Sequence, residues 1–257
     1  MERFDVNCYC GQWPFHSTRY SAVDHLISSH CAAGIQGGLI TSLQTIFYLD
    51  PLTAAAELSK QLPEGYRQIF AVNPNLPAAG SLCRNAYEQY GIAGIRLVPT
   101  IHGFDWNGKE TQKILQTAEN LNLPLFITWN IEDSRLDYLL LQKSVKPDEI
   151  SSVLRDLPNI PVIITNAYLK NLSPIADAIC SRKGIYADTS ALNSPLLALD
   201  KAYELIGSDH LLYGSGHHIQ ALSSSVQNML HCDIPEDKLQ DIWWRNATKI
   251  FRIEGDR

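Results

Sequence analysis

The feature that most constrains the fold is a recurrence. Short runs of apolar and β-branched residues, bounded by Gly, Pro or Asn, return along the whole chain. Their spacing is roughly that of one strand-helix unit. The expected strands cover residues 4–10, 37–41, 68–72, 94–99, 125–129, 162–166, 184–189 and 211–214. Most are continuous apolar runs, as strands buried on both faces should be. Eight such units in 257 residues match a single (β/α)8 barrel. A doubly wound open sheet also alternates, but it carries fewer strands, and no G-x-G-x-x-G follows the first run.

Helical signals fill the intervals. Asp50-Pro51, Ser173-Pro174 and Ser194-Pro195 each place a capping residue before proline at a first helical position. Ser21 to Asp24 reads as a capping-box variant. Gly91, Gly184 and Gly207 stand where C-terminal caps belong. Residues 133–146 exceed a simple loop and are expected to carry an extra helix after strand five. Residues 235–251 read as a C-terminal helix, with Trp243-Trp244 sealing the barrel.

Charge narrows the partners. With 21 Lys plus Arg against 27 Asp plus Glu, the net charge is −6, which gives no support for nucleic-acid or anionic-membrane binding. No apolar run reaches the ~20 residues of a membrane span, and the start lacks the order of a secretion signal. A cytoplasmic chain with a small-molecule ligand is expected, self-association being left open. The six cysteines, with no C-x-x-C, read as free thiols, and Cys8 and Cys10 as packing residues facing the helices.

In such barrels chemistry sits at the C-terminal strand ends. There Phe4-Asp5-Val6-Asn7-Cys8-Tyr9 with Gly11 and Trp13-Pro14 resembles the opening strand of the amidohydrolase-related barrels, apolar-Asp-apolar-His-x-His. Gly94-Ile95-Arg96-Leu97, Leu123-Pro124-Leu125-Phe126-Ile127 and Pro161-Val162-Ile163-Ile164-Thr165-Asn166 are similar to the family's fourth, fifth and sixth strands. Leu211-Leu212-Tyr213-Gly214-Ser215-Gly216 resembles its eighth, and Asn246-Ala247-Thr248-Lys249-Ile250-Phe251 its ending. The resemblance implies a metal-dependent hydrolase, or a lyase acting on a small carboxylated ring. Its divalent metal, commonly zinc, is bound by the strand-one histidines, histidines after strands five and six, and an Asp after strand eight.

Here those positions hold Asn7 and Tyr9, Thr128 or Trp129, Asn166 and Gly216. Amide and hydroxyl oxygens are weak zinc ligands, so the inherited metal site is expected to be dismantled and no cofactor is expected. Asn7, Tyr9 and Asn166 should converge near the barrel axis as an uncharged polar cluster. Two replacements stay open. His16, His102, His217 and His218 form a rebuilt zinc site, or His217 or His102 acts as general base with Tyr9 as proton donor. Asn7, Arg96, Trp129, Asn166 and His218 are the candidate substrate contacts, Arg96 either clamping a carboxylate or serving as a structural bridge. His25, His30, His210 and His231 read as surface or packing residues. A non-catalytic binding or scaffold barrel is the alternative to an enzyme.

Overall fold

A computed structural model describes residues 2–15, 17, 21–132, 143 and 145–253. Eight parallel strands follow one another around a sheet in chain order: β1 (Phe4–Cys10), β2 (Gly37–Ser42), β3 (Tyr66–Ala71), β4 (Gly94–Leu97), β5 (Leu125–Thr128), β6 (Val162–Thr165), β7 (Ile185–Asp188) and β8 (Leu211–Leu212). The ring closes between β8 and β1. Val6 N–H donates to Tyr213 O at 2.9 Å, Gly216 N–H to Asn7 O at 2.8 Å, and Ser215 N–H to Asp5 Oδ1 at 3.0 Å. The eight expected strands are all present, within about three residues at their ends.

Helices cover the outside: α1 (Val23–Ala32), α2 (Leu43–Phe47), α3 (Pro51–Ser59), α4 (Ala79–Tyr90), α5 (Pro99–His102), α6 (Lys109–Asn120), α7 (Pro147–Asp156), α8 (Leu169–Leu172), α9 (Ala176–Cys180), α10 (Ala198–Ile206), α11 (Leu222–Leu230), α12 (Glu236–Gln240) and α13 (Asn246–Phe251). Asp50 caps α3 as expected, its side chain accepting from Leu52 N–H at 3.1 Å. Gly91 closes α4 in the left-handed conformation, at φ 59°. Three expected starts differ. Ser173 closes α8, its hydroxyl donating to Leu169 O, and α9 begins only at Ala176. Ser194-Pro195 does not open a helix, because α10 begins three residues later, after Leu197 turns left-handed. No side chain caps α1, whose N-cap is Ala22. The extra helix expected over 133–146 lies largely outside the described residues.

The barrel interior is stacked in two layers. The N-terminal layer is apolar: Phe4, Val6, Leu39, Ile69, Phe126, Ile163 and Leu212, floored by Ala247 and Phe251 of α13. The C-terminal segment therefore seals this end. Trp244 sets its ring edge-to-face on Phe4, with centroids 6.3 Å apart, and Trp243 packs on Tyr213. Cys8 and Cys10 face outward among Val23 and Leu26 of α1, beyond a shift of register between Asp5 and Cys8 that lets Phe4 and Val6, and then Asn7 and Tyr9, all face inward. No described helix is long and apolar enough to cross a membrane.

Candidate active site at the strand ends

The C-terminal layer is polar and is built around Arg96. Its residue sits mid-β4, beside Phe126 of β5 in register, with its guanidinium 5.3 Å from the Phe126 ring and 5.0 Å from the Tyr9 ring. Nη1 donates to Tyr9 Oη at 2.7 Å, Thr128 Oγ1 at 2.8 Å and Thr165 Oγ1 at 3.3 Å. Nη2 donates to Asn7 Oδ1 at 2.9 Å. Arg96 is fully buried and forms no ion pair with a carboxylate among the described residues. It is a cation solvated by side-chain oxygens.

A second tier completes the layer. Tyr9 Oη donates to Asn166 Oδ1 at 3.0 Å. Asn7 Nδ2 donates to the same oxygen at 2.8 Å and to Asp188 Oδ2 at 2.6 Å. Asp188 Oδ1 accepts from Asn166 N–H at 3.0 Å and from Ser190 Oγ at 2.9 Å. Burial pushes the Asp188 carboxyl up to about 7, although these donors and the Arg96 charge pull the other way. Burial likewise raises the Tyr9 phenol to about 12. Asn166 takes a left-handed backbone, at φ 57°, which asparagine tolerates better than most residues.

Asn7 and Tyr9 converge on Asn166 because the register shift between Asp5 and Cys8 turns them to the same face as Val6. Of the two residues at the strand-five position, Thr128 points inward, while Trp129 packs in the apolar layer between strands and helices. Thr165 and Asp188 were not singled out by sequence, yet a signal existed: each is a polar residue ending an otherwise apolar strand, and Thr128 and Thr165 pair in register.

Three histidines stand at this end, each with one ring nitrogen bound to a backbone carbonyl. His218 Nδ1 donates to Tyr9 O at 3.0 Å, His217 Nδ1 to Gln220 O at 3.1 Å and His102 Nε2 to Ile46 O at 2.8 Å. A carbonyl only accepts, so the bound nitrogen carries the hydrogen and the other carries a lone pair. Those lone-pair nitrogens, His217 Nε2, His218 Nε2 and His102 Nδ1, are buried without a hydrogen-bond partner among the described residues, as is the Asn166 Nδ2 donor. Burial lowers all three pKa values, that of His218 to about 4, so the rings are neutral at pH 7. The His217 and His218 rings lie 4.0 Å apart. His16 lies outside the described residues.

The amidohydrolase family model matches residues 43–253. The chain belongs to the amidohydrolase family. Solved structures resemble this chain in fold at low identity. A dihydroxybenzoic acid decarboxylase from a Polaromonas species, with bound manganese and an inhibitor, aligns at TM-score 0.74 and 12% identity, covering 98% of this chain and 97% of its own. The 5-carboxyvanillate decarboxylase of Sphingomonas paucimobilis aligns at 0.73 and 13%, covering 98% and 99%. The 2,6-dihydroxybenzoate decarboxylase of Rhizobium aligns at 0.72 and 12%, covering 99% of both chains. At such identities the likeness is one of fold. No curated protein matches the chain in sequence.

Proposed function

We propose that this amidohydrolase acts on a small carboxylated or cyclic molecule at the strand ends, by hydrolysis, without a divalent metal in the barrel centre. The observation that carries the reading is the Arg96 guanidinium. It donates to Asn7 and Tyr9, the two side chains standing where the family binds metal on strand one. A divalent ion in contact with those oxygens would face a fixed positive charge. The donor set of amide and hydroxyl oxygens is also poor for zinc. The residues present do not fit the metal.

Chemistry then falls to the neutral imidazoles. His217 serves as general base through Nε2, since its Nδ1–H is committed to Gln220 O. His218 Nε2 accepts a hydrogen bond from the substrate, and Asn166 Nδ2 donates one to its carboxylate or carbonyl. Because burial lowers the His217 pKa, the base stays unprotonated through neutral pH, and activity should fall only below the ordinary histidine range.

The test is turnover of small aromatic carboxylic acids and lactones with and without chelator. Activity should survive chelation, fall about a hundredfold or more in His217→Ala, and show a raised KM in Asn166→Ala. Loss of turnover on chelation, with the fold intact by circular dichroism, overturns the reading. A second reading, a binding barrel without catalysis, is favoured by one observation: Asn7, Tyr9, Arg96, Asn166 and Asp188 are all closed to solvent. Ligand-induced thermal stabilisation without turnover decides for it.

A further inference from the structure

A separate polar group lies behind β1, on the side of the strand opposite the Arg96 layer. Asp5 and Cys8 leave β1 toward α1, and His30 leaves the last turn of α1 to meet them. All three are fully buried, and one donor atom from each falls within 4.8 Å of the others. Gly38 of β2 opens the space: a Cβ there would stand 2.9 Å from Asp5 O and 3.5 Å from both Asp5 Cβ and His30 Cε1.

The polar atoms of this group are held but not satisfied. Asp5 Oδ1 accepts from Asn7 N–H at 2.9 Å and Ser215 N–H at 3.0 Å, which fixes the carboxylate. His30 Nδ1 lies 3.2 Å from Tyr66 Oη, which fixes the ring. Asp5 Oδ2 and His30 Nε2 lie 3.2 Å apart, yet not in hydrogen-bonding alignment, and neither has another partner among the described residues. Two orphaned polar atoms in one closed space each keep the cost of losing water. Something that binds both would remove it.

We propose that Asp5, Cys8 and His30 form a buried binding site for a divalent cation of the zinc class. Nitrogen and carboxylate oxygen on one tetrahedral zinc stand about 3.3 Å apart, close to the separation here. His30 ligates through Nε2, with its Nδ1–H donating to Tyr66 Oη, the arrangement that orients a metal-bound imidazole. Binding breaks the Cys8 S–H bond, the proton leaves to solvent, and the thiolate joins the ion. One divalent ion with a thiolate, a carboxylate and a neutral imidazole has no net charge, as a buried site requires. The fourth position falls to water or to Leu39 O, already 3.2 Å from Cys8 Sγ. Such an ion clamps α1 to β1. It lies on the other side of β1 from the Arg96 layer.

The experiment strips the full chain with chelator and reloads it with cobalt(II) alone, then with zinc(II) alone. One cobalt per chain is expected, with a thiolate-to-cobalt absorption band and a raised Tm. Cys8→Ser and His30→Gln should abolish the band and weaken uptake about tenfold or more, whereas Cys10→Ser should leave both intact. Absence of uptake by the wild type, uptake without a thiolate band, or wild-type uptake in Cys8→Ser each overturns the proposal. Should the variants fail to fold, zinc-edge X-ray absorption of the wild type decides: one sulfur with nitrogen or oxygen neighbours supports the site, and any other shell overturns it.

Discussion

The two layers inside the barrel are both closed to solvent and held by opposite physics. The N-terminal layer, from Phe4 to Leu212 with Phe251 beneath, gains its stability from apolar area, which has no direction. The C-terminal layer gains it from named donors and acceptors: Arg96 to Asn7, Tyr9 and the two threonines, and Asn7 to Asp188. They meet at Phe126, whose ring carries the guanidinium. An apolar layer tolerates substitutions that keep volume. A hydrogen-bonded layer tolerates none that strands a partner, because each orphan keeps its desolvation cost.

The largest expected effect exposes that difference. Arg96→Met keeps much of the volume but removes every donor Arg96 supplies, leaving Asn7 Oδ1 with no other donor among the described residues. It should cost about 3 kcal/mol. Phe126→Leu, just below, should cost about 1.5 kcal/mol or less. Urea midpoints of the two variants compare the layers directly, and equal losses would erase the distinction.

Next comes a steric test of how tightly the polar tier is packed. A Cβ at Gly214 would stand 2.4 Å from Asp188 Oδ2 and 2.9 Å from Asn7 Cβ. Gly214→Ala should therefore cost about 1–3 kcal/mol by overpacking. A variant as stable as wild type would mean that the tier yields.

A pH series separates the layers again, since only the polar one titrates. The folded state raises the Asp188 carboxyl from 3.8 to about 7, so it holds the proton more tightly than the unfolded chain does. The resulting stability is fully present below about pH 4 and is lost as pH rises to about 7. Asp188→Asn should remove that decline, which for one group has a slope of at most about 1.4 kcal/mol per pH unit. Wild type and variant falling in parallel between pH 4 and 7 would place the titration elsewhere.

The architecture was legible because strand spacing and burial repeat eight times, and a repeated signal outweighs errors at its ends. Alternation along β1 also sorted inward Asn7 and Tyr9 from outward Cys8 and Cys10. Partners were not legible. Nothing in the local pattern brings His30 to Asp5, because the docking of α1 on β1 is tertiary. Arg96 offered two readings, a carboxylate clamp or an ion-pair bridge, and its observed partners are four neutral oxygens on three strands. Ser194-Pro195 carried a capping signal that the left-handed turn at Leu197 overrides.

The smallest expected effect tests whether the polar layer shares its load. Tyr9 Oη both accepts from Arg96 and donates to Asn166, so Tyr9→Phe deletes two hydrogen bonds at once. Each partner keeps another: Arg96 Nη1 retains Thr128, and Asn166 Oδ1 retains Asn7 Nδ2. Neither is stranded, and the ring stays beneath the guanidinium. The loss should be about 1 kcal/mol, the net worth of one ordinary hydrogen bond. A loss approaching that of Arg96→Met would make the phenol the centre of the layer, with Arg96 as its support.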